Sequence, residues 1–479
     1  MSRSAKHDSG PTKPHGLMLQ EVMDKVTWKI AVHGENDLRI YRQHRGTYFE
    51  RIYKYQCKQE LREFFPWQTS AEISGLCDSL LEDAERMFDD GLFLQARKRI
   101  VGFKNAVFDL LTGQVRKYQG SDYWLNPLPY NLPEQVAPDV ERWFIAIVAQ
   151  WVGADVAEWF LNALAYFLFI YPNKEHIWLD LFGTGRNGKS SLLALLEEIL
   201  GDSNTIGCDL KNIGKFSGDA FKDKWLVIGH DSSEVVSEQA TAFIKRLTGE
   251  KKLHVEKKGG AEYDTDNTCK LIVSTNYLIQ SKDRSYGWYR RLVPVPFTNR
   301  FPISATFDDD LLAKTPDIAR LLLHRAYLLS HNKQQLLHCL PDRVGELREE
   351  TRMLNDRLAA FWQLYFHRDV ERRSRNAHGQ DETILLNELH ADHLRETHNQ
   401  PMSTLYDVYC QWHQQEFGGS PIEPSLKTFG GPHGAFLQSD AGEYFAYERT
   451  KTGRVVKLKP AFQPQFLQMP PLNTQTTWV

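Results

Sequence analysis

A glycine-rich run that ends in a lysine and a hydroxyl residue is the clearest chemical feature of the sequence. Residues 183–190 read GTGRNGKS and fit the pattern G-x-x-x-x-G-K-[ST]. The glycines of such a loop let backbone N–H groups wrap a phosphate, and the helix that follows points its positive end at the anion. An apolar run, IWLDLFG, precedes the loop, and a leucine-rich helical run follows it. This context predicts a phosphate-binding loop.

The loop predicts a role for each of its polar ends. Lys189 is expected to reach the β- and γ-phosphates of a nucleoside triphosphate, and the Ser190 hydroxyl to bind Mg²⁺. The residues expected to surround the triphosphate are Gly183, Thr184, Gly185, Arg186, Asn187, Gly188, Lys189, Ser190 and Ser191.

Polar residues also adjoin three further strand-like runs. Asp231 follows the run KWLVIG and is expected to hold Mg²⁺ together with Ser190. Asn276 follows KLIVST, where its amide would contact the γ-phosphate or the attacking water, with a turn-forming asparagine as the alternative. Arg290 and Arg291 precede LVPVPF, where an arginine can stabilise charge on a transferring phosphoryl group, often in a neighbouring subunit, with a solvated surface pair as the alternative.

Positive charge is concentrated in two stretches. Residues 245–258 carry six basic side chains against two acidic ones, a local charge of 6 − 2 = +4. In isolation such a run is typical of a solvated face. The alternative is contact with nucleic-acid phosphates, which binds without reading sequence. The basic residues of this stretch are Lys245, Arg246, Lys251, Lys252, Lys257 and Lys258.

Composition limits the class of protein. The 479 residues include 58 Lys and Arg and 61 Asp and Glu, a net charge of −3, which excludes a histone-like polycation. The six cysteines are scattered without zinc or disulfide spacing, as expected in a reducing cytoplasm. The first 16 residues are polar, and no signal peptide is expected. The apolar run 154–171 contains Asp155, Glu158 and Asn162, so a buried helix is expected there and no membrane association.

The motifs together resemble a known family. GTGRNGKSSLL, KWLVIGHDSSE, FIKRLTGEKKLHVEKK, CKLIVSTN and YRRLVPVPF occur in the order of the superfamily-three helicase core. They most resemble the phage and plasmid primase-helicase family related to the poxvirus replication ATPase. The upstream run FKNAVFDLLTG extends the resemblance, which covers about residues 60–365.

The resemblance implies specific roles. Asp231 would be the Walker B acid, Asn276 sensor 1, and Arg291 the arginine finger with Arg290 as its partner. Lys257 and Lys258 would lie near the tip of a hairpin that touches DNA in the central channel of a hexameric ring.

One position departs from the family pattern. Members usually have two adjacent acids after the Walker B strand, and here His230 stands in place of the first. Either His230 positions the attacking water or Glu234 supplies the missing carboxylate, so the general base stays open.

The C-terminal residues resemble a winged-helix domain. The aromatic residues of 404–412 have helical spacing and are expected in the core, and a second helix beginning at Ser425, with Lys427, would read a DNA groove. A hairpin within residues 442–459 would form the wing and place Arg449, Lys451 and Arg454 on DNA.

The alternation of strands and helices predicts an α/β fold: a P-loop ATPase core of the AAA+-like superfamily-three type, a helical N-terminal module and a C-terminal winged-helix domain. The expected boundaries are a disordered tail 1–16, an α/β or helical module 17–150, the ATPase and helicase core 151–305, a helical extension 306–371, a linker 372–382, a winged-helix domain 383–460 and an irregular tail 461–479.

The expected function is that of an ATP- and Mg²⁺-dependent, ring-forming DNA helicase that replicates a mobile element in a bacterial cytoplasm. Expected partners are single-stranded DNA in the pore, duplex origin DNA on the winged helix, further copies of the chain, and a separate primase or host replication proteins. Fewer than about 100 residues precede the resemblance, so no primase domain is expected among them. The alternative is an ATP-regulated origin-binding initiator with little or no unwinding. A small-molecule kinase would not explain the basic stretches.

Overall fold

A computed structural model describes two compact units, Met1–Arg348 and Glu349–Val479. The described residues are 13–463, apart from 24, 34–36, 45–47, 84–85, 214–217, 233–234, 256–262, 282, 284, 303, 376–380, 418–423, 425–428, 430–434 and 451–452.

The first part of unit one is a mixture of short helices and strands. Its elements are α1 (His15–Val22), β1 (Trp28–His33), β2 (Asp37–His44), β3 (Tyr48–Ile52), α2 (Lys54–Phe64), α3 (Ser70–Leu81), α4 (Gly91–Arg97), β4 (Ile100–Gly102), β5 (Val107–Asp109), β6 (Val115–Arg116) and β7 (Trp124–Leu125).

The remainder of unit one contains a larger sheet and its helices. Its elements are α5 (Pro138–Val152), α6 (Ala154–Phe169), β8 (Trp178–Phe182), α7 (Lys189–Leu200), β9 (Thr205–Gly207), β10 (Leu226–Gly229), β11 (Val235–Val236), α8 (Glu238–Gly249), β12 (Lys252–Val255), β13 (Tyr263–Asp266), β14 (Lys270–Thr275), β15 (Gln280–Ser281), α9 (Tyr286–Tyr289), β16 (Leu292–Pro296), α10 (Phe307–Leu312), α11 (Thr315–Asn332) and α12 (Asp342–Asn355), the last crossing into unit two.

Unit two is smaller. Its elements are α13 (Arg357–Tyr365), β17 (His367–Arg375), β18 (Asp381–Leu389), α14 (Ala391–Thr397), β19 (Gln400–Pro401), α15 (Met402–Phe417), α16 (Ala435–Gln438), α17 (Ala441–Tyr444), β20 (Phe445–Thr450) and β21 (Gly453–Leu458).

The N-terminal module contains two small sheets and is therefore mixed α/β and not purely helical. One sheet has the order β1-β2-β3-β7, and the other has the order β4-β5-β6. Strands β5 and β6 form a hairpin with Gly113 at φ +72° in the turn, and β4 is the third strand of this sheet. Helix α1 begins at His15, so the end of the segment expected to be a disordered tail is helical. Residues 1–12 lie outside the described residues.

The central sheet of unit one has five parallel strands in the order β16-β8-β14-β10-β9. Sequence patterns predicted four of them, while β9 is too short to show a pattern. Most of the apolar side chains of these strands are buried, as in parallel sheets covered by helices on both faces. Residues of α5, α6, α7 and α11 share one hydrophobic core with this sheet. The fold is thus mixed α/β, as expected.

Helix α6 is an interior helix of unit one, in agreement with the prediction for its apolar run. Phe160, Leu164 and Phe167 are completely buried. No single helix in the described part of the chain is long and apolar enough to cross a membrane; α5 and α6 reach that length only as a pair, and they are bent by 114°.

The C-terminal end of α6 is joined to the sheet by a buried lysine. Lys270, the first residue of β14, donates from Nζ to the carbonyl oxygens of Tyr166 and Phe167, at 2.9 and 3.4 Å, and of Ile170. Burial lowers the pKa of Lys270 well below its usual value. The Lys270 Nζ group thus donates to three carbonyl oxygens at the end of the helix and so fixes the start of β14.

Unit two has its own aromatic core, which includes Phe361, Trp362, Tyr409 and Trp412. Tyr409 and Trp412 lie on α15 and are buried, as expected for the first helix of this module. Strands β19, β21 and β20 form an antiparallel sheet, and β20–β21 is the hairpin expected as a wing. Ser425 and Lys427, at the start of the expected second helix, lie outside the described residues.

The expected linker 372–382 is wrong. Most of its residues belong to β17 and β18, which pair antiparallel from His367↔Leu389 to Arg375↔Asp381. A polar composition rich in helix- and strand-breaking residues is typical of a linker, but it is also typical of the connection in a hairpin. The residues on either side of this connection belong to the two paired strands.

Candidate phosphate-binding site

The glycine-rich loop continues directly from β8 and turns into α7. The N–H of Gly183 donates to the Thr275 carbonyl of the neighbouring strand β14 at 3.1 Å. Gly188 caps α7 with φ +89°, and a Cβ at this residue would lie 2.2 Å from Nε1 of Trp151. Both the positive φ and the indole of Trp151 therefore require glycine at position 188.

Lys189 is the first residue of α7, and its side chain is buried under the loop. Its Nζ donates to the Gly183 carbonyl, to Asn187 Oδ1 at 3.2 Å and to Asn276 Oδ1 at 3.3 Å. All three acceptors are uncharged oxygens. Burial lowers the pKa of Lys189, while the carboxylates of Asp231 and Asp180 raise it. A buried cation with neutral acceptors, at a helix N-terminus, suits an incoming phosphate.

The strand order explains why Lys189 meets Asn276. Strand β14 lies between β8 and β10, so the carboxyl ends of the three strands lie side by side. The loop follows β8, Asn276 follows β14 and Asp231 follows β10. In open α/β sheets, ligands bind at the carboxyl ends of the strands.

Asp231 and Ser190 have exposed side chains at the same edge. The Asp231 N–H donates to Ser274 Oγ at 3.1 Å, and its backbone has φ +42°. The carboxylate is close enough to Lys189 to affect its pKa. An accessible carboxylate and an accessible hydroxyl are oxygen ligands of the kind Mg²⁺ takes, usually with waters and substrate phosphates, so these residues fit the expected ion.

His230 is directed elsewhere. Its Nε2 lies 3.1 Å from Oε1 of Glu197, on the C-terminal half of α7. Glu197 carries no signal in the sequence, because a single acid on an amphipathic helix resembles any solvated residue. Glu234, the other candidate for the general base, lies outside the described residues.

Asp180 is a second residue that the sequence analysis missed. It lies within the apolar run of β8, is 1% exposed and accepts a hydrogen bond from Thr275 Oγ1 at 2.6 Å. Burial raises the pKa of Asp180 to about 7, against the effects of the Thr275 hydroxyl and the Lys189 charge. The sequence did contain a signal for a functional or paired acid at this position: Asp180 lies inside a strand otherwise made of Trp, Leu and Phe, and acids are seldom buried without a partner.

Asp180 should make stability depend on pH. The native carboxyl keeps a proton that the unfolded chain loses above about pH 4, so the free energy of unfolding falls as pH rises from about 4 to 7. Asp180→Asn removes this cost and should stabilise unit one at pH 8, by up to about 4 kcal/mol, and less at pH 5. Melting temperatures at both pH values measure this, with exposed Asp310→Asn as control. An equal effect at pH 5 and pH 8 would contradict it.

Arg291 lies at the amino ends of the sheet strands, whereas Lys189 lies at their carboxyl ends. Leu292 pairs with Trp178 at the start of β8, and Pro296 pairs with Phe182 at its end, so about 13 Å of strand separate the two edges. The Arg291 guanidinium donates to the Gly287 carbonyl, and its Nε has no acceptor among the described residues. It lines an open groove of about 650 Å³ together with Lys245, Arg246 and Asp283. Arg290 precedes it at the same edge.

The predicted DNA contacts are only partly within the described residues. Strands β12 and β13 pair antiparallel from Lys252↔Asp266 to Val255↔Tyr263, and Lys257 and Lys258, between them in sequence, lie outside the described residues. Lys245 forms an ion pair with Asp283 at 2.9 Å, so the +4 stretch is partly neutralised.

In unit two, the predicted wing contacts are also incompletely described. Arg449 and Arg454 are register partners on β20 and β21, whereas Lys451 lies outside the described residues. Lys457, on the same hairpin, pairs with Glu448 at 2.7 Å.

Comparisons with known proteins cover the same region. Residues 181–291 match a family described as one of unknown function (DUF5906). This stretch includes the glycine-rich loop, Asp231, Asn276 and Arg291. No curated protein matches the chain.

Solved structures similar to the chain include two of the NrS-1 C-terminal region. The A form apo structure is 13% identical, with 94% of this chain and 100% of that chain covered and a TM-score of 0.49. A second apo structure is also 13% identical, with 94% and 99% covered and a TM-score of 0.46.

Proposed function

We propose that this chain is an ATP- and Mg²⁺-dependent DNA helicase that acts as a ring. The observation that carries the proposal is the meeting of Lys189 and Asn276, which are 87 positions apart, at 3.3 Å on the carboxyl edge of five parallel strands. A phosphate loop alone would suit many nucleotide-binding proteins. A polar amide that contacts the loop lysine, with Asp231 on the next strand, suits one that hydrolyses the nucleotide.

Each group at this edge has a distinct task. Lys189 and the loop N–H groups hold the β- and γ-phosphates, while Ser190 and Asp231 would hold Mg²⁺, which when bound neutralises charge on the phosphates. Asn276 is placed to orient the γ-phosphate or the attacking water. The proton acceptor stays a choice between His230 and Glu234.

Arg291 explains the need for more than one copy. Because Arg291 lies at the amino ends of the strands and Lys189 at the carboxyl ends, Arg291 can serve as an arginine finger only in the site of a neighbouring copy. Repetition of that head-to-tail contact around an axis closes a ring. A hexamer is the size that the family resemblance suggests.

Strand β14 supports a link between hydrolysis and DNA movement. It starts shortly after the β12–β13 hairpin and ends next to Asn276. The base of the hairpin is held to α8 by Asn267, whose Nδ2 donates to the carbonyls of Leu247 and Glu250 at 2.6 and 2.9 Å. A change at Asn276 when the γ-phosphate leaves would pass along six residues of buried strand to the β12–β13 pair, between whose strands Lys257 and Lys258 lie in sequence.

A second candidate is an origin-binding initiator that uses ATP for assembly and hydrolyses it slowly. The pairing of His230 with Glu197 favours this alternative. His230 stands where the resembling family has its first acid, and the contact with Glu197 holds it away from Lys189.

Hydrolysis and strand separation distinguish the two. The purified full chain, with Mg²⁺ and ATP, should hydrolyse ATP faster when single-stranded DNA is added and should separate a forked duplex. Hydrolysis that DNA does not stimulate, combined with ATP-dependent binding to duplex DNA, would favour the initiator. The absence of any hydrolysis, with or without DNA, would overturn the helicase proposal.

A further inference from the structure

Two tyrosines at the start of α2 form an exposed aromatic pair on the N-terminal module. Tyr53 and Tyr55 are 56% and 61% exposed. Their ring centroids lie 6.1 Å apart with 10° between the ring planes, so the rings are parallel and offset. Single exposed apolar side chains are ordinary on a protein surface, but two parallel rings side by side offer a flat π surface to a ligand.

Arg51 borders this pair and fixes its place in unit one. Its guanidinium carbon lies 5.8 Å from the centroid of the Tyr53 ring, a cation–π contact. Nη1 of Arg51 also donates to Asp223 Oδ2 at 2.9 Å, in the segment just before β10. The tyrosine pair is therefore attached to the part of the unit that contains the central sheet.

Positive charge continues from the tyrosines along one face of α2. Lys58 and Arg62 follow Tyr55 by three and seven residues, positions that share one face of a helix. Neither cation forms an ion pair in the described part of the chain. Glu60 is turned to Arg42, whose Nη2 donates to it at 3.0 Å. Residues 51–64 carry four basic side chains and two acidic ones, so the surface beside the tyrosines is positive.

This combination suits a single nucleic-acid strand. In sites for single strands, bases stack on aromatic side chains while the phosphate backbone follows positive charge. The bases of a duplex are already stacked on their neighbours inside the helix, so exposed rings of this kind favour unpaired bases. An apolar protein partner would have to bury the unpaired Lys58 and Arg62 at the rim of the same surface, which costs free energy.

We propose that Tyr53 and Tyr55 stack on unpaired bases of a single strand whose phosphates contact Lys58 and Arg62. This site lies on the N-terminal module, apart from the glycine-rich loop and from the β12–β13 pair. It therefore goes beyond the function proposed above, and it requires no bound nucleoside triphosphate.

The first test removes the aromatic rings. The full chain, without ATP, is titrated with fluorescent oligothymidylate and with a strand of the same length that lacks bases. The double variant Tyr53→Ala and Tyr55→Ala should bind oligothymidylate roughly 5- to 150-fold more weakly, the effect of one lost stacking contact. Its affinity for the base-free strand should not change. The matched control, Tyr53→Phe and Tyr55→Phe, keeps both rings and should bind oligothymidylate as the unaltered chain does.

The second test removes a phosphate contact. Lys58→Gln should weaken binding of both strands. It should also reduce the slope of log affinity against log salt concentration by about 0.7, the contribution of one phosphate of a single strand. Lys104→Gln is the control, because Lys104 is an exposed lysine of the same module in the β4–β5 connection and should change neither quantity.

The outcomes are separate from those of the helicase proposal. Stacking is refuted if the alanine double variant keeps its full affinity for oligothymidylate, or loses as much affinity for the base-free strand. It is also refuted if the phenylalanine variant loses as much as the alanine variant, because the rings would then not be what binds. An unchanged salt slope in Lys58→Gln would refute the phosphate contact. Since these titrations contain no ATP, their failure leaves the hydrolysis assay as an independent test of the nucleotide site.

Discussion

Arg291→Ala is expected to lower the rate of ATP hydrolysis by about 10³-fold or more, the scale on which arginine fingers act, while ATP affinity changes much less. In the proposed ring, the guanidinium would stabilise charge that develops on the transferring phosphoryl group of a neighbouring copy, since the loop of its own chain lies at the other end of the strands. Arg291→Lys should recover little activity, because an ammonium lacks the planar fork of donors. Steady-state hydrolysis at saturating ATP, together with a nucleotide-binding assay, measures both effects.

Mixing two inactive variants tests the shared site directly. A productive interface needs an intact Lys189 on one copy and an intact Arg291 on the next. In rings assembled from equal amounts of Lys189→Ala and Arg291→Ala chains, one half times one half, or about a quarter, of the interfaces meet both conditions. Activity near that fraction supports an arginine finger in trans. Mixed rings that are seen to assemble but remain inactive would refute it.

Lys189→Ala is expected to remove both binding and hydrolysis. The lost interaction joins a cation to phosphate, and hydrogen bonds to charged groups contribute about 1.5–3 kcal/mol each, or roughly a 10- to 100-fold loss of ATP affinity for one such bond. The rate should fall further, because the lysine also stabilises charge in the transition state. Isothermal titration with ATP and Mg²⁺, followed by hydrolysis assays, measures the two losses.

Two controls keep this result interpretable. Lys189→Met preserves much of the buried volume without the charge and should lose ATP binding to a similar extent, even if truncation to alanine disturbs the loop. Lys211→Ala removes an exposed lysine in the same unit and should bind ATP as the unaltered chain does. Retention of full ATP affinity in both Lys189 variants would place the nucleotide elsewhere.

Local patterns were sufficient for much of the fold. The apolar runs that precede Gly183, Asp231 and Asn276 are strands β8, β10 and β14, and the run that follows Arg291 is β16. Continuous apolar runs of this length indicate strands buried on both faces, and such strands belong to parallel sheets. The linker prediction was wrong because the composition of residues 372–382 is equally compatible with a flexible connection and with a hairpin, and only the observed pairing of β17 with β18 distinguishes them.

The amino-acid sequence by itself was enough to predict the loop and the phosphate chemistry proposed for it, because the glycines, the lysine and the hydroxyl residue fall within eight consecutive positions and a short loop has few alternative conformations. The tertiary structure alone decided the rest of the site. It brought Asn276 to Lys189 and buried Asp180 beside them. It also turned His230 towards Glu197 and placed Arg291 at the amino ends of the strands. These contacts depend on the order in which five strands pack, and strand order leaves no local trace in the chain.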